Sequence, residues 1–340
     1  MNGSSGKEIA PRETAADTDR VVSMVVPAFN EAQNIPLLYR RVAEVLQQTV
    51  SQNWELIFVD DGSRDATWSA ISARAADDPR VRGVRLSRNF GHQYALMAGL
   101  EMARGDAVIM MDCDLQHPVE MIPVLLERWQ AGFKVVKTLR QDDGHIGWLK
   151  RWTSRAFYRL FSALSGVKLQ PGLADFRLLD RKALDELLRL SEEGLFLRGL
   201  TEWIGFPSCV IPYQAGQRAC GRSQYSFKKM VRLAWDGVSS FSITPLRIGI
   251  IIGLIGSLVS MVGVFYAFFG KIFGRGTVPG WASTLMVISL LFFLLFVYLG
   301  ILGEYIGRII IEVRHRPRFI VCETKGFGER GPLPHDALRR

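Results

Sequence analysis

Short apolar runs alternate with mixed segments through the first half of the chain. The runs VVSMVVP (21–27) and ELIFVDD (55–61) are mostly apolar and end in polar residues, which predicts buried strands. Between them, NIPLLYRRVAEVLQQ (34–48) repeats its apolar positions with the spacing of an amphipathic helix. The alternation continues with apolar runs at 81–87, 106–112 and 134–138. This βαβαβ order predicts an α/β fold with a largely parallel sheet.

Two much longer uncharged runs follow later in the chain. Residues 248–270 and 276–303 each exceed the roughly 20 residues that an α-helix needs to cross a bilayer. Two buried core helices are the alternative, but soluble cores rarely contain two such runs in succession. Lys and Arg cluster before the first run and after the second, so the positive-inside rule predicts a membrane hairpin with both chain ends in the cytosol.

The predicted division of the chain follows from these runs and from a polar, small-residue amino terminus. It comprises a disordered tail at 1–20, a large cytosolic domain at 21–225, a juxtamembrane helix at 226–246, membrane helices at 247–270 and 282–306, an extracytoplasmic loop at 271–281 and a basic cytosolic tail at 307–340. Within the domain, the basic amphipathic segment 148–166 predicts a helix lying on an anionic membrane, with an ordinary surface helix as the alternative.

Composition narrows the partners of the 340-residue chain. A formal net charge of +9 is compatible with nucleic acid, an anionic membrane surface or a phosphorylated substrate. The basic residues cluster beside the membrane runs, and this disfavours nucleic acid as a partner. The four cysteines form no CxxC pair, which argues against structural zinc and for a reducing compartment.

The predicted strands end in polar residues, and these ends should meet at one edge of a parallel sheet. Asp112 and Asp114 follow an apolar strand with one residue between them. Two carboxylates this close repel each other unless a cation or a shared proton holds them. With Gln116 nearby they suit Mg²⁺ or Mn²⁺ bound to a diphosphate, whereas an isolated Asp-x-Asp is more often a solvated turn. No GxGxxG or GxxxxGK[ST] run supplies a dinucleotide or P-loop site.

Several longer motifs together form a family pattern. In chain order they are VVPAFNEAQNI, FVDDGSRDAT, DAVIMMDCDLQHP, DFRLLDR and LGEYIGRIIIEVRHRPRF. Over about 21–319 the chain resembles the polyisoprenyl-phosphate glycosyltransferases of glycosyltransferase family 2, which include bacterial undecaprenyl-phosphate glucosyltransferases and dolichyl-phosphate mannose synthase. The resemblance implies a GT-A-type, Rossmann-like fold. It also implies inverting transfer of a sugar from a nucleotide-sugar donor to a polyprenyl-phosphate acceptor at the bacterial inner (cytoplasmic) membrane.

The same resemblance implies roles for individual residues. The positions that match the nucleotide-sugar site are Pro27, Glu31, Asp60, Asp61 and Asp112. The implied metal ligands are Asp112, Asp114 and Gln116, with Mg²⁺ or Mn²⁺ as the cofactor. The resemblance implies Arg140 and Arg218 as phosphate-binding arginines, and Arg218 is also predicted to be catalytic. The other residues predicted to contact the acceptor phosphate are Arg151, Ser154 and Arg222. Asp175 is implied as a catalytic residue that orients a substrate or acts as a base, and a salt bridge with Arg177 or another arginine is the alternative.

The chain departs from the family pattern near the acceptor. Relatives often carry Gly-x-Ser-Lys-Tyr there, whereas this chain has Gln224 in place of the lysine. Two alternatives to a single-sugar transferase are a processive polysaccharide synthase, which would need more spans and a Gln-x-x-Arg-Trp motif, and a non-catalytic membrane scaffold. The resemblance favours UDP-glucose as the donor. It leaves open a 4-amino-arabinose-type, N-acetylhexosamine or mannose donor, and also a homo-oligomer.

Overall fold

A computed structural model describes residues 20–50, 53–141, 172–190, 196–214, 280–314 and 316–327, with separate positions between 246 and 269. The chain divides into two compact units. The sheet unit combines residues 1–155, 169–224 and 317–340, and the helical unit combines residues 156–168 and 225–316. The chain therefore returns to the sheet unit after the helical unit.

The described part of the sheet unit contains eight strands and six α-helices. The strands are β1 (Val22–Ala28), β2 (Trp54–Asp60), β3 (Val81–Leu86), β4 (Ala107–Met110), β5 (Val135–Gln141), β6 (Leu173–Asp180), β7 (Ser208–Gln214) and β8 (Val321–Lys325). The helices are α1 (Asn34–Val50), α2 (Thr67–Asp77), α3 (His92–Met102), α4 (Ile122–Gln130), α5 (Arg181–Arg189) and α6 (Leu197–Trp203).

All eight strands form one sheet in the order β7-β5-β6-β4-β1-β2-β3-β8. Strands β6 and β8 run antiparallel to their neighbours, and the other strands share one direction. The predicted α/β class with a mostly parallel sheet is confirmed. Strand β5 is the next strand after β4 along the chain, as predicted. In the sheet the two are not neighbours, because β6 lies between them.

Helices cover both faces of the sheet because its strands are apolar on both faces. One buried cluster joins β1 residues such as Met24 and Val26 to apolar side chains of α1, α2 and α4. On the other face, α3 approaches closely at Gly99, where a Cβ would lie 2.3 Å from Val25 and 2.9 Å from Val59. This two-sided packing holds the carboxyl ends of β1, β2 and β4 side by side.

The helical unit contains the long helix α7 (Trp281–Val313). Its segment Leu290–Val313 has a mean hydropathy of 2.1, and none of it is buried. By length and composition, this segment is the one candidate membrane span among the described residues. A Cβ on Gly249 would collide with the ring of Tyr298, and one on Gly256 would lie 3.5 Å from Leu291. Helical residues before α7 therefore pack against it in antiparallel order, while the crossing of a membrane by two helices stays a prediction.

Several predicted segments lie outside the described residues. These are the interfacial helix 148–166, the amino-terminal tail apart from Arg20, and the juxtamembrane helix apart from Leu246.

Candidate active site at the carboxyl ends of the strands

The end of β2 carries two buried acids with different surroundings. Asp60 Oδ1 accepts a hydrogen bond from the Ser63 N–H at 2.9 Å. Its Oδ2 is buried and accepts no hydrogen bond from any residue that the structure describes, although the Nε of Arg85 lies 3.4 Å away. An acceptor that folding has removed from water in this way is ready for a donor group on a ligand.

Asp61 holds the loop between β3 and α3. Its two oxygens accept hydrogen bonds from the N–H groups of Phe90 at 2.7 Å and Gly91 at 2.9 Å. Burial raises the pKa of Asp61, and these two hydrogen bonds offset only part of that effect. The next residue, Gly62, has φ +68°, and a Cβ there would lie 2.4 Å from the backbone of Arg88. Asp61 and Gly62 thus fix the loop that precedes α3.

The other residues predicted for the nucleotide-sugar site lie at the end of β1. Pro27 is a buried β1 residue paired with Val59 of β2. The Glu31 N–H donates to Thr67 Oγ1 at 2.8 Å, and Glu31 Oε2 accepts from Asn34 Nδ2 at 2.5 Å. The described residues therefore bring the ends of β1 and β2 together, as the sequence predicted.

A strained turn follows β4. Leu115 adopts φ +61°, a left-handed conformation that costs a residue with a Cβ about 1–2 kcal/mol. The residues before and after Leu115 are joined by a hydrogen bond, which the Gln116 N–H donates to Asp114 Oδ1 at 3.1 Å. Strain of this kind persists where the surroundings enforce it, often at functional sites. The turn brings the predicted ligands Asp112, Asp114 and Gln116 together within five residues of chain.

His117, which sequence analysis overlooked, supports this turn from inside. Its buried ring stacks on Phe176 with 5.1 Å between centroids. Its Nδ1 accepts a hydrogen bond from the Asp112 N–H at 3.2 Å. Because Nδ1 is the acceptor, the ring proton is on Nε2, which lies 3.7 Å from Asp112 Oδ2.

The oxygen atoms at this turn fit a hard divalent cation. Among the described residues, Asp112 Oδ1 is buried and accepts no hydrogen bond, and His92 Nε2 lies 3.3 Å from it. Asp114 and Gln116 offer further carboxylate and amide oxygens, the ligand types that Mg²⁺ and Mn²⁺ prefer. In the part of the chain that the structure describes, no three His, Cys, Asp or Glu side chains form a metal centre. A divalent cation held by Asp112, Asp114 and Gln116 would take its other ligands from substrate oxygens and water.

Arg140 meets the predicted metal site from β5. Its NH1 donates a hydrogen bond to Gln116 Oε1 at 3.2 Å. The predicted phosphate-binding arginine and the predicted amide ligand are thus neighbours. The other residues predicted for the acceptor phosphate, Arg151, Ser154, Arg218 and Arg222, lie outside the described residues, as does Gln224.

Asp175 of β6 is held by arginines. Arg198 of α6 donates to both of its oxygens, at 2.8 and 2.9 Å, and Arg177 lies 3.6 Å away. Burial alone would raise the pKa of Asp175, but the Arg198 guanidinium outweighs it and holds that pKa well below its usual range. The carboxylate is therefore a weak base, and its geometry suits an orienting role.

Sequence reasoning also missed His92 and Arg198. His92 follows Gly91, whose φ of +108° marks the start of α3, so the Phe-Gly-His run was the available signal. Arg198 has no comparable local signal, because its contact with Asp175 joins two segments that are separate in sequence.

Comparison with known proteins gives consistent matches. A model described as glycosyl transferase family 2 matches residues 23–188. Uncharacterized glycosyltransferase YkcC of Bacillus subtilis (strain 168) is 40% identical over 306 residues, which is 90% of this chain and 94% of that protein. Bactoprenol glucosyl transferase of Shigella phage SfV is 41% identical over 305 residues, 89% of this chain and 99% of that protein. A crystal structure of glucosyl-3-phosphoglycerate synthase from Mycobacterium tuberculosis is 21% identical over 68% of this chain and 84% of that chain, with a TM-score of 0.46.

The mixed sheet and the acids at its carboxyl edge define the protein as a glycosyltransferase with a GT-A-type fold. Because identity of about 40% extends along almost the whole length of these relatives, the chain belongs to glycosyl transferase family 2.

Proposed function

We propose that this protein transfers a glucosyl group from UDP-glucose to undecaprenyl phosphate or another polyprenyl phosphate, with inversion at the anomeric carbon. The observation that carries the proposal is the 41% identity to a protein named bactoprenol glucosyl transferase, along 99% of that protein. The unfilled acceptors of Asp60 and Asp112, together with the Gln116–Arg140 contact, support a diphosphate-containing donor at the sheet edge.

The chemistry of the acceptor explains the residue types at the site. A phosphate monoester is already anionic at neutral pH, so one of its oxygens can attack the anomeric carbon directly. The bond from that carbon to the diphosphate breaks, and its electron pair leaves with UDP. No proton has to be removed from the acceptor, which agrees with a weakly basic Asp175. The main task of the protein is to hold two anions together in line.

Asp112, Asp114 and Gln116 are the residues that would hold Mg²⁺ or Mn²⁺. Such an ion, when bound, neutralises charge on a leaving diphosphate. Arg140 adds a permanent positive charge beside Gln116. Asp60 would receive a donor group from the nucleotide at its open Oδ2. The acceptor phosphate would be bound by the residues predicted for it, which are Arg151, Ser154, Arg218 and Arg222.

Anchoring in a membrane completes the proposal, since the acceptor is a lipid. The apolar segment Leu290–Val313 of α7 supports one span, and the packing of Gly249 on Tyr298 supports a helical partner for it. We propose two spans, a short extracytoplasmic loop, and a catalytic domain in the cytosol with both chain ends.

A transfer assay tests the proposed reaction. The purified full chain is incubated with undecaprenyl phosphate and, separately, with UDP-glucose, UDP-N-acetylglucosamine, GDP-mannose and a 4-amino-arabinose nucleotide. We expect a labelled lipid from UDP-glucose that excess EDTA abolishes and that Asp114→Asn does not make. Product from another donor alone would correct the sugar. Equal product from the wild type and Asp114→Asn would contradict the proposed site.

Cysteine labelling tests the proposed topology. A membrane-impermeant maleimide should label Thr277→Cys in intact cells, because residue 277 belongs to the predicted outer loop. The native Cys322 is exposed on the sheet unit and should react only after the membrane is made permeable. Labelling in the opposite order would place the sheet unit outside the cytosol.

A further inference from the structure

Asp175 and Arg198 form a two-point ion pair beside the candidate active site. The Nε and NH2 of Arg198 contact the two carboxylate oxygens at 2.8 and 2.9 Å. Paired hydrogen bonds of this kind fix both the distance and the plane of a carboxylate. Arg177, which is fully buried behind them, is held in turn by Thr201 Oγ1 at 2.6 Å and the Ala174 carbonyl at 2.8 Å.

The fixed carboxylate contacts the first residues of α3. Gln93 Nε2 donates to Asp175 Oδ2 at 3.4 Å, and Gln93 Oε1 accepts from the Leu197 N–H at 3.3 Å. Gln93 therefore ties α3 to both β6 and α6. His92 stands next to it, with its Nε2 3.8 Å from Asp175 Oδ2 and 3.3 Å from Asp112 Oδ1.

His92 thus lies between a carboxylate of the predicted metal site and a carboxylate that two arginines already neutralise. The difference in charge balance matters. If Asp175 carried an unbalanced charge, it would repel Asp112 across the imidazole and compete for the same ring N–H. With Arg198 and Arg177 beside it, Asp175 can hold His92 without opposing the charge on Asp112.

We propose that Arg198 is a positioning residue that acts through Asp175 and His92 to set the orientation of Asp112 for the metal–diphosphate group of the donor. The proposal rests on the proposed function and adds Arg198 and His92 to it. Arg198 itself belongs to α6, and its guanidinium donates hydrogen bonds to both oxygens of Asp175. Its effect should therefore appear in the metal-dependent part of donor binding and in turnover, while the metal-independent contacts of the nucleotide remain.

The chain offers a closely matched control. Arg80 also contacts an aspartate at two points, with its Nε and NH2 each 2.9 Å from the oxygens of Asp78. The side chains of this pair are 32% and 7% exposed, against 33% and 11% for Arg198 and Asp175. Arg80 lies at the amino end of β3, so Arg80→Lys removes a similar fork from the other end of the strands.

The experiment compares Arg198→Lys with Arg80→Lys in the full chain. UDP binding is measured by calorimetry with EDTA and then with saturating Mn²⁺, and kcat and KM are measured with UDP-glucose and undecaprenyl phosphate. For Arg198→Lys we expect UDP affinity in EDTA within about twofold of wild type, a smaller gain in affinity from Mn²⁺, and a kcat about 10- to 100-fold lower, since small misplacements cost rates of this order. Arg80→Lys should change none of these.

A double-variant comparison separates positioning from general damage. His92→Asn should also reduce the gain in UDP affinity from Mn²⁺, and adding Arg198→Lys should change it little further, because both act on Asp112. Equal behaviour of Arg198→Lys and Arg80→Lys in binding and turnover would overturn the proposal. So would full additivity with His92→Asn. If wild type bound UDP with Mn²⁺ but made no glycolipid, the proposed function would fail while the binding arms still decided this inference.

Discussion

The two ends of the parallel strands both contain buried acids, but they use them differently. At the amino end, Glu55 Oε1 accepts hydrogen bonds from Ser23 Oγ at 2.5 Å and from the Arg104 N–H at 2.7 Å. Its Oε2 is paired with the guanidinium of Arg82. The Ser23 hydroxyl accepts from the Gly105 N–H at 2.8 Å. Both oxygens of this buried carboxylate therefore have partners within the protein.

At the carboxyl end, Asp60 Oδ2 and Asp112 Oδ1 are buried and accept no hydrogen bond from the residues that the structure describes, although Arg85 Nε lies 3.4 Å from Asp60 Oδ2. A buried acceptor without a hydrogen bond is destabilising by about 1–3 kcal/mol. The difference supports the proposed ligand site at the carboxyl end and a structural role for Glu55 at the amino end. An isolated Asp-x-Asp motif is weak evidence for a ligand site. Here it is stronger, because Asp112 Oδ1 and Asp60 Oδ2 are both buried acceptors at the same edge of the sheet.

The largest expected effect is on catalysis at the carboxyl end. Asp112→Asn removes the charge of the open oxygen and should lower kcat by roughly 1,000-fold, as expected for a lost metal and leaving-group contact. The free energy of unfolding should change by less than about 1 kcal/mol, since few internal partners are lost. Transfer assays and denaturant unfolding of the same preparation measure both. A large loss of stability in Asp112→Asn would mean that the carboxyl end of the strands also stabilises the fold, which would contradict the difference between the two ends.

The second prediction concerns the amino end. Glu55→Gln leaves Arg82 without a buried countercharge and should lower the free energy of unfolding by about 3 kcal/mol. Well below the unfolding temperature, kcat and KM should stay within about twofold of wild type. Urea unfolding and steady-state kinetics test this. Loss of turnover in fully folded protein would mean that the amino end also serves the reaction.

The third prediction separates strain from loop placement. Gly62→Ala meets both a positive φ and backbone atoms of Arg88 and Asn89, so it should destabilise the protein by about 2 kcal/mol and weaken UDP binding several-fold. Gly132 also has a positive φ, +103°, but open space around it. Gly132→Ala should therefore show only the cost of strain, and unchanged UDP affinity in calorimetry. Equal UDP affinities for both variants would remove the loop before α3 from the site.

The smallest effect is a difference in pH dependence between two acids. Burial acts to raise the pKa of Asp180, but hydrogen bonds from Trp129 and Lys134 outweigh it and leave the pKa lowered. Asp180 should thus add stability above about pH 4 that is lost as the pH falls through the lowered pKa. The raised pKa of Asp61 has the opposite sign, so its contribution is present below about pH 4 and is lost as the pH rises through the raised value.

Unfolding measured between pH 3 and 6 tests this pair. The stability difference between wild type and Asp180→Asn should shrink as the pH is lowered. The difference between wild type and Asp61→Asn should move in favour of wild type over the same range. Asp180 lies at the amino end of the parallel strands, opposite Ala107 of β4, and Asp61 lies at their carboxyl end. If both stability differences changed with pH in the same direction, the opposite pKa shifts of the two acids would be contradicted.

Local patterns predicted the parallel core and the acids at its edge. An apolar strand followed by polar residues is visible in the sequence, so the positions of Asp60, Asp112 and Asp114 at strand ends could be predicted from it. The insertion of β6 between β4 and β5 was not predictable in this way, because it depends on pairing between distant segments. Arg198 was missed for the same reason, because its contact with Asp175 joins segments that are separate in sequence. His92 had a local signal in the Phe-Gly-His run, but its position between Asp112 and Asp175 is visible only in the structure.

The antiparallel pairing of β8 with β3 has a consequence for synthesis on the ribosome. Strand β3 is synthesised before α7 and β8 after it, so the edge that β8 occupies stays uncovered until α7 has been synthesised. An uncovered strand edge is a template for aggregation. A nascent chain that stalls before Val321 would therefore carry a sheet with an open edge. The sheet can therefore be completed only in chains that already contain the whole apolar helix α7.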